Sequence, residues 1–290
     1  MNKKSLDISS KIDSLSPEIY ECVDSVASLQ NIPFFVIGAT ARDMIMQLGY
    51  NIEVPRATVD IDLAFQVPSW QAFEKLKGSL ITSGPFTKTK TTHRLLFQNR
   101  IPIDIVPFGS IEQSDSTINW PPEYDIKMSI LGFEDAYEDA ILVRVKNAPK
   151  VEVLVASLSS LAALKLIAWE DRVTGREKDA HDLRFMIRHY LDCDNAERLH
   201  SKHTDLVGDD FDYDLAGARL LGRDLAALLG QEARKAVQSL LLKQTEGDRD
   251  RYLLVEDMSL GDAEKSFQEN LKLLKALLHG MRDNTKEQGR

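Results

Sequence analysis

The sequence predicts an α+β protein: a mixed β-sheet core flanked by helices over residues 1–155, followed by an all-helical domain over residues 156–290 that closes a cleft. Three observations predict it. Up to about residue 155, short apolar runs interleave with segments of helical period. Two strand-like runs, "HRLLFQNR" and "IPIDIVPFG", are close enough to form an antiparallel hairpin through Gln98, Asn99 and Arg100, which favours a mixed sheet over a purely parallel one. From about Ser157 onward strand-like alternation disappears and helical spacing takes over.

Taken in order, residues 17–30 carry Ile19, Val23, Val26, Ala27 and Gln30 at helical spacing behind Ser16 and Pro17, read as cap and first helical position. "IPFFVIG", 32–38, is a continuous apolar run that suits a buried strand, and "ARDMIMQLG" reads as a helix stopped at Gly49. After the turn "YNIEVPR", the stretch "RATVDIDLAF" reads as a strand over 56–65. Asp60 and Asp62 then share one face, with Val59, Ile61, Leu63 and Phe65 on the other. Residues 70–83 place Trp70, Phe73, Leu76, Leu80 and Ile81 on one helical stripe, as core, before Gly84-Pro85. Between 110 and 155 the legible features are an acidic turn at 134–139 and strands at "AILVRVK" and "VEVLV". Five helical segments follow, with Ser157, Ser159 and Ser160 as caps and a fraying tail "MRDNTKEQGR".

Composition narrows the function classes. At 43% hydrophobic and 28% charged residues the chain has an ordinary globular make-up, and every apolar run is interrupted too early to span a bilayer. The N-terminus lacks an apolar stretch behind its basic start, so a cytoplasmic location is expected. Cys22 and Cys193 are far apart, which argues against a disulfide framework or a zinc site. A net charge of −9 disfavours broad non-specific nucleic-acid binding and leaves a local basic groove possible.

The chemistry concentrates around the paired acids. Asp104 is the lone charge in the apolar strand "IPIDIVPFG", and an uncompensated carboxylate inside a sheet is expensive, so a counter-charge, a metal or a proton is expected there. Arg56 and Arg94 are candidate counter-charges; the alternative is that Asp60, Asp62 and Asp104 form a hard, oxygen-rich site suited to two Mg²⁺ ions clamping an in-line phosphoryl displacement. Upstream, "FFVIGATARDMI" places Gly38 where the chain leaves a strand, with helix-start amides near Thr40 and Ala41 as a phosphate seat. Downstream, Lys165, Trp169 and Arg172 share one helical face, and Asp179 and Asp182 are spaced to orient Lys165 or Arg172. His93 and His181 stand isolated from any ligand spacing.

These pieces resemble the nucleotidyltransferases of the DNA polymerase β superfamily: Ile37-Gly38-Ala39, then Asp60-Ile61-Asp62, then Asp104 on a later strand. Ala39 stands where the general signature has a second Gly or Ser. Within the superfamily the chain looks most like the AbiEii-type group of toxin–antitoxin enzymes, through Arg56, Thr58, Asp60 and Asp62 and through Lys165 followed by Asp182. The resemblance covers roughly residues 32–190. It implies Asp60, Asp62, Asp104, Lys165 and Asp182 as catalytic residues. It also implies nucleotide contacts from Gly38, Ala39, Thr40, Arg42, Arg56, Thr58 and Arg172, an NTP substrate, an acceptor such as a tRNA 3′ end, and a protein antitoxin. "GATARDMIMQLG" also resembles the opening of CCA-adding tRNA nucleotidyltransferases, but the Arg-Asp-Phe-Thr-Ile-Asn stretch of those enzymes is absent. Transfer to a small molecule such as an antibiotic, and a non-catalytic nucleotide- or partner-binding protein on the same fold, are the competing readings.

Overall fold

The computed structural model describes residues 5–13, 15–56, 58–172, 174–246, 252–259 and 263–283. The chain divides into two compact units, Met1–Ser157 and Leu158–Arg290.

The first unit runs β1 (Ser5–Asp7), α1 (Leu15–Ser28), β2 (Phe34–Ile37), α2 (Gly38–Asp43) with a π-helical continuation over Met44–Gly49, β3 (Ile61–Gln66), α3 (Trp70–Thr82), β4 (Phe86–Lys88), β5 (Arg94–Phe97), β6 (Ile101–Phe108), β7 (Thr117–Trp120), β8 (Ile126–Ser129), α4 (Phe133–Glu138), β9 (Ile141–Lys146) and β10 (Val151–Val155). One mixed sheet has the order β1-β9-β10-β2-β3-β6-β5-β4, and β7 pairs with β8 separately. The β5–β6 hairpin forms as expected, its turn built on Gln98 and Asn99 at φ +51° and +55°. Parity then sorts the central strands. Phe35, Ala64, Val106 and Phe108 share a face with Asp62 and Asp104. At one end of that face Phe133 and Tyr137 of α4 pack on Phe35 and Phe108, with ring centroids 5.7–6.0 Å apart. The acids occupy the other end.

Several boundaries differ from expectation, each for a local reason. The Asp13 carboxylate, not Ser16, accepts from the amides of Leu15 (2.8 Å) and Ser16 (3.0 Å), so α1 starts two residues before Pro17. The strand expected over 56–65 opens only at Ile61. Val59, expected on the face of Ile61, Leu63 and Phe65, is 75% exposed while those three are buried, and Asp60 lies just outside the ladder. The acidic 134–139 segment is the helical turn α4, whose Glu134 and Asp135 sit favourably in its first turn behind Gly132 at φ +82°. Strands β1, β4, β7 and β8, too short to leave a period, went unread.

The second unit is helical: α5 (Leu158–Asp171), α6 (Glu177–Arg188), α7 (Ala196–Ser201), a 3₁₀ turn over Thr204–Leu206, α8 (Tyr213–Leu228), α9 (Gln231–Thr245), α10 (Leu253–Asp257) and α11 (Ala263–Asp283). Ser159 and Ser160 lie inside the first turn of α5 rather than ahead of it. Met281 is fully buried and Asp283 accepts from Arg219 and Arg223, so 281–283 belong to the folded helix; the rest of the expected frayed tail lies outside the described residues. Among the described residues no helix is long and apolar enough to cross a membrane.

Helices α8 and α11 meet through glycine. A Cβ on Gly280 would press on the Arg219 carbonyl group, with its carbon at 2.9 Å, and one on Gly222 would meet the Gly280 Cα at 2.9 Å. Gly→Ala inside a helix normally stabilises by about 1 kcal/mol, whereas overpacking against backbone costs about 1–3 kcal/mol or more. The clash decides the sign. Gly280→Ala is expected to lower stability by roughly 1–2 kcal/mol in urea denaturation. A variant as stable as the parent would contradict this backbone-to-backbone packing.

Candidate active site

Four neighbouring strands bring two of the acids into one row with Ile37 and Arg94. Ile37 at the end of β2 is opposite Asp62 on β3, Asp62 is in register with Asp104 on parallel β6, and Asp104 is opposite Arg94 on β5. Register partners on neighbouring strands point to the same side, so two carboxylates stand side by side. Gly38 makes room for the first. It sits at φ +68°, and a Cβ there would lie 2.8 Å from the Asp62 Cγ and closer still to Oδ2. The helix α2 begins on Gly38 itself, and the residue before it, Ile37, provides no side-chain cap. Ala39, next in the turn, is half-buried.

Arg94 answers the charge problem. Its Nε and one terminal nitrogen donate to the two oxygens of Asp104, each at 2.6 Å, and the same terminal nitrogen reaches Asp60 Oδ2 at 3.3 Å. The pairing, above all the hydrogen bonds to Asp104, raises the guanidinium's affinity for its proton further. Sequence reasoning weighed Arg94 only as a partner that would explain the acids away. Next to it, burial pushes the His93 imidazole below its usual range, partly countered by Asp104, so His93 is neutral near pH 7; its ring lies 5.3 Å from Trp120. Trp120 also meets Trp70 and Phe73, placing these in an aromatic cluster.

Asp60 is placed by hydrogen bonds that hold the loop before β3. The Thr40 hydroxyl donates to the Asp60 carbonyl at 2.7 Å, so it supports an acid instead of standing ready for a phosphate. Asp43, which sequence reasoning missed, is the second anchor. Arg42 donates to its Oδ1 from Nε (2.8 Å) and a terminal nitrogen (2.6 Å), and the Thr58 hydroxyl donates to its Oδ2 at 2.7 Å. The same Arg42 nitrogen lies 3.4 Å from the Arg56 carbonyl. Arg42, expected as a nucleotide contact, is 1% exposed and directs its guanidinium to Asp43 and the Arg56 carbonyl, as a buried brace. Thr58 likewise acts inward. Arg56 has an exposed side chain and joins this brace through its carbonyl. The Arg-Asp pair in "ARDMI" was the available signal for Asp43.

In the second unit, Lys165 on α5 is 14% exposed in its side chain and donates to Asp179 Oδ1 at 2.8 Å, with Asp182 Oδ2 also at 2.8 Å; the two carboxylates are 4% and 1% exposed. Arg172 donates to Asp179 Oδ2 at 2.7 Å. Trp169, expected beside Lys165 on a displayed cationic face, is 1% exposed, donates from Nε1 to Asp257 at 2.8 Å and carries the Arg176 guanidinium over its ring at 4.7 Å. The face is therefore mostly buried, and Arg172 is its exposed cation, already paired. Asp179, read beforehand only as an orienting group, proves equal to Asp182 as a partner of Lys165.

Among the described residues no group of three or more His, Cys, Asp or Glu side chains is gathered closely enough to hold a metal ion. Asp60 stands outside the β3 ladder, and the Arg94 guanidinium lies against both Asp60 and Asp104. The donors are nonetheless hard oxygens, the chemistry that suits a divalent ion of the Mg²⁺ kind, and the Arg94 cation already stands against two of them.

Two outcomes are expected. Thr58→Val removes a donor to the Asp43 carboxylate and is expected to cost about 1.5–3 kcal/mol in denaturant titration; an unchanged midpoint would refute the brace. Lys165→Met leaves two adjacent buried carboxylates without their shared ammonium. A loss of about 3 kcal/mol or more is expected, recovered in part by Lys165→Arg; equal stability of the Met variant would contradict it.

No curated protein matches the chain. Among solved structures, the antibiotic-resistance factor ANT(2″)-Ia in solution matches at 15% identity and TM-score 0.34, over 67% of this chain and 96% of that one. JHP933 from Helicobacter pylori matches at 14% identity and TM-score 0.33, over 94% and 95%. A CCA-adding enzyme in complex with ATP matches at 13% identity and TM-score 0.32, over 96% and 72%. The family model described as nucleotidyl transferase AbiEii toxin, type IV toxin–antitoxin system, matches residues 23–269, and on that span the chain belongs to the AbiEii nucleotidyltransferase family.

Proposed function

We propose that this nucleotidyltransferase moves a nucleoside monophosphate from an NTP to an acceptor hydroxyl in a Mg²⁺-dependent reaction, as the toxin of a toxin–antitoxin pair with a tRNA 3′ end as acceptor. The observation that carries this reading is the Asp62–Asp104 pair in register on β3 and β6, with Asp60 held next to it by Thr40. Keeping like charges side by side is costly unless a cation or a reaction uses them.

In the reaction, the acceptor oxygen forms a bond to the α-phosphorus, the bond to the β-phosphate bridging oxygen breaks, and pyrophosphate leaves with that electron pair. Asp60, Asp62 and Asp104 would hold the Mg²⁺ ions, which when bound supply charge neutralisation of the transferring group and acidify the acceptor hydroxyl. Asp104 is assigned to take the acceptor's proton, an arrangement that requires its oxygens to be released from Arg94. The backbone at Gly38 and Ala39, opening α2 with no side-chain cap from the preceding residue, is assigned to the phosphates. Thr40, Arg42 and Thr58 act at one remove by fixing Asp60 and its loop, while Arg56, exposed, is kept as a nucleotide contact. Lys165 and Asp182 enter the reading through the family resemblance, and Arg172 through its place on the helical face of Lys165, as a cation for the phosphates.

Asp60→Asn and Asp62→Asn preserve side-chain volume and remove one negative charge each. With α-labelled NTP offered against total tRNA, total protein and an aminoglycoside panel, each is expected to lose transfer by at least about 10²-fold, and a chelator is expected to do the same to the parent. Transfer by either variant at the parent's rate would sink the assignment, and label moving to an aminoglycoside instead of tRNA would replace the acceptor.

A further inference from the structure

We propose that Arg94 is a tethered counter-cation of the acid row, displaced from Asp60 and Asp104 when a divalent ion binds, so that metal binding and Arg94 release are a single exchange; this rests on the metal-dependent reading above. Three observations converge. Both oxygens of Asp104 are occupied by the guanidinium at 2.6 Å, so a metal reaching Asp104 meets Arg94 first. The same guanidinium reaches Asp60 at 3.3 Å, touching two of the three acids at once, as a bridging cation does. And an arginine cannot give way by losing its proton, since its charge is permanent at any working pH. Its only way out is to move.

The surroundings permit that movement. The Arg94 side chain is 35% exposed, against 14% for Asp104, so it has solvent to swing into while the acid stays in place. It sits at the first position of β5, a four-residue strand covered at the sheet margin only by three-residue β4. Nothing else on Asp104 requires the guanidinium in order to keep the strand register, because the β5–β6 ladder is carried by backbone pairs from Arg94–Asp104 to Phe97–Ile101. Exchange also explains how the row survives without metal: one permanent cation lessens the repulsion between neighbouring carboxylates, and a doubly charged ion replaces it with a stronger field.

The exchange is tested with Mn²⁺ alone, titrated into the full chain and followed by the paramagnetic signal of the free ion, in the parent, Arg94→Gln, Arg94→Lys and Asp62→Asn. Arg94→Gln is expected to bind Mn²⁺ at least about tenfold more tightly than the parent, a difference of about 1.4 kcal/mol, and to gain more in melting temperature on adding Mn²⁺. Arg94→Lys, which keeps the charge but loses the fork, is expected between the two, and it carries the test if the Gln variant does not fold. In the parent, the Arg94 Nε–H resonance, assigned by its loss in Arg94→Lys, is expected to shift on titration with Mg²⁺. Acid-dependent Mn²⁺ binding that is unchanged or weaker in both Arg94 variants, with a stationary resonance, overturns the exchange and leaves the metal reading standing. No Mn²⁺ binding by the parent, or binding indifferent to Asp62→Asn, overturns both.

Discussion

Two carboxylates in register on adjacent parallel strands repel, and the architecture around Asp62 and Asp104 follows from that constraint. Opposed like charges on a sheet destabilise it, by about as much as a favourable cross-strand pair stabilises it. One side of the row answers with charge, the bidentate Arg94, and the other with space, Gly38, where any side chain would strike Asp62. The apolar continuation of the same face, Phe35, Val106 and Phe108, is sealed by α4 through Phe133 and Tyr137, so the acids stand where that cover stops.

The third acid is held differently. Asp60 belongs to a loop, and loops position functional groups well only when something rigid restrains them. Here the restraint comes from the helix that follows β2. Thr40 grips the Asp60 carbonyl, and Asp43, braced by buried Arg42, grips Thr58. Between Arg56 and Asp62 the labour is divided: Thr58 and the Arg56 carbonyl are tied to Asp43 and Arg42, and Asp60 and Asp62 carry the charge.

The helical unit concentrates charge in its interior too, with the opposite sign at the centre. Lys165 lies between Asp179 and Asp182, and Arg172 supplies a second cation to Asp179. Burying such a group is costly unless all its members are present, so the arrangement is stiff, and losing one partner costs more than the net worth of the pair. Arg176, the residue before α6, is stacked on Trp169 and paired with Asp257.

Much of the fold was legible in residue order because period is a local property. The helix stripes of α1 and α3, the apolar runs of β2 and β6 and the change to helices after Ser157 all follow from which side of an element must leave water. The acids stood out for the same reason, as charges in apolar strands. Even the Arg94–Asp104 pair was within reach, since a hairpin turning through Gln98, Asn99 and Arg100 puts those two residues opposite each other. Beyond reach were effects that depend on distant segments meeting. The register of β3 with β6 is set by long-range packing, which is what makes Asp62 and Asp104 neighbours. The hydrogen bonds of Arg42, Thr40 and Thr58 depend on a helix and a distant segment folding together, which sequence spacing does not show. Local sequence dictates which groups carry charge and which surfaces are apolar; the partner each charge finds is decided only when the chain closes on itself, because Coulomb and hydrogen-bond energies depend on distances that sequence spacing does not contain.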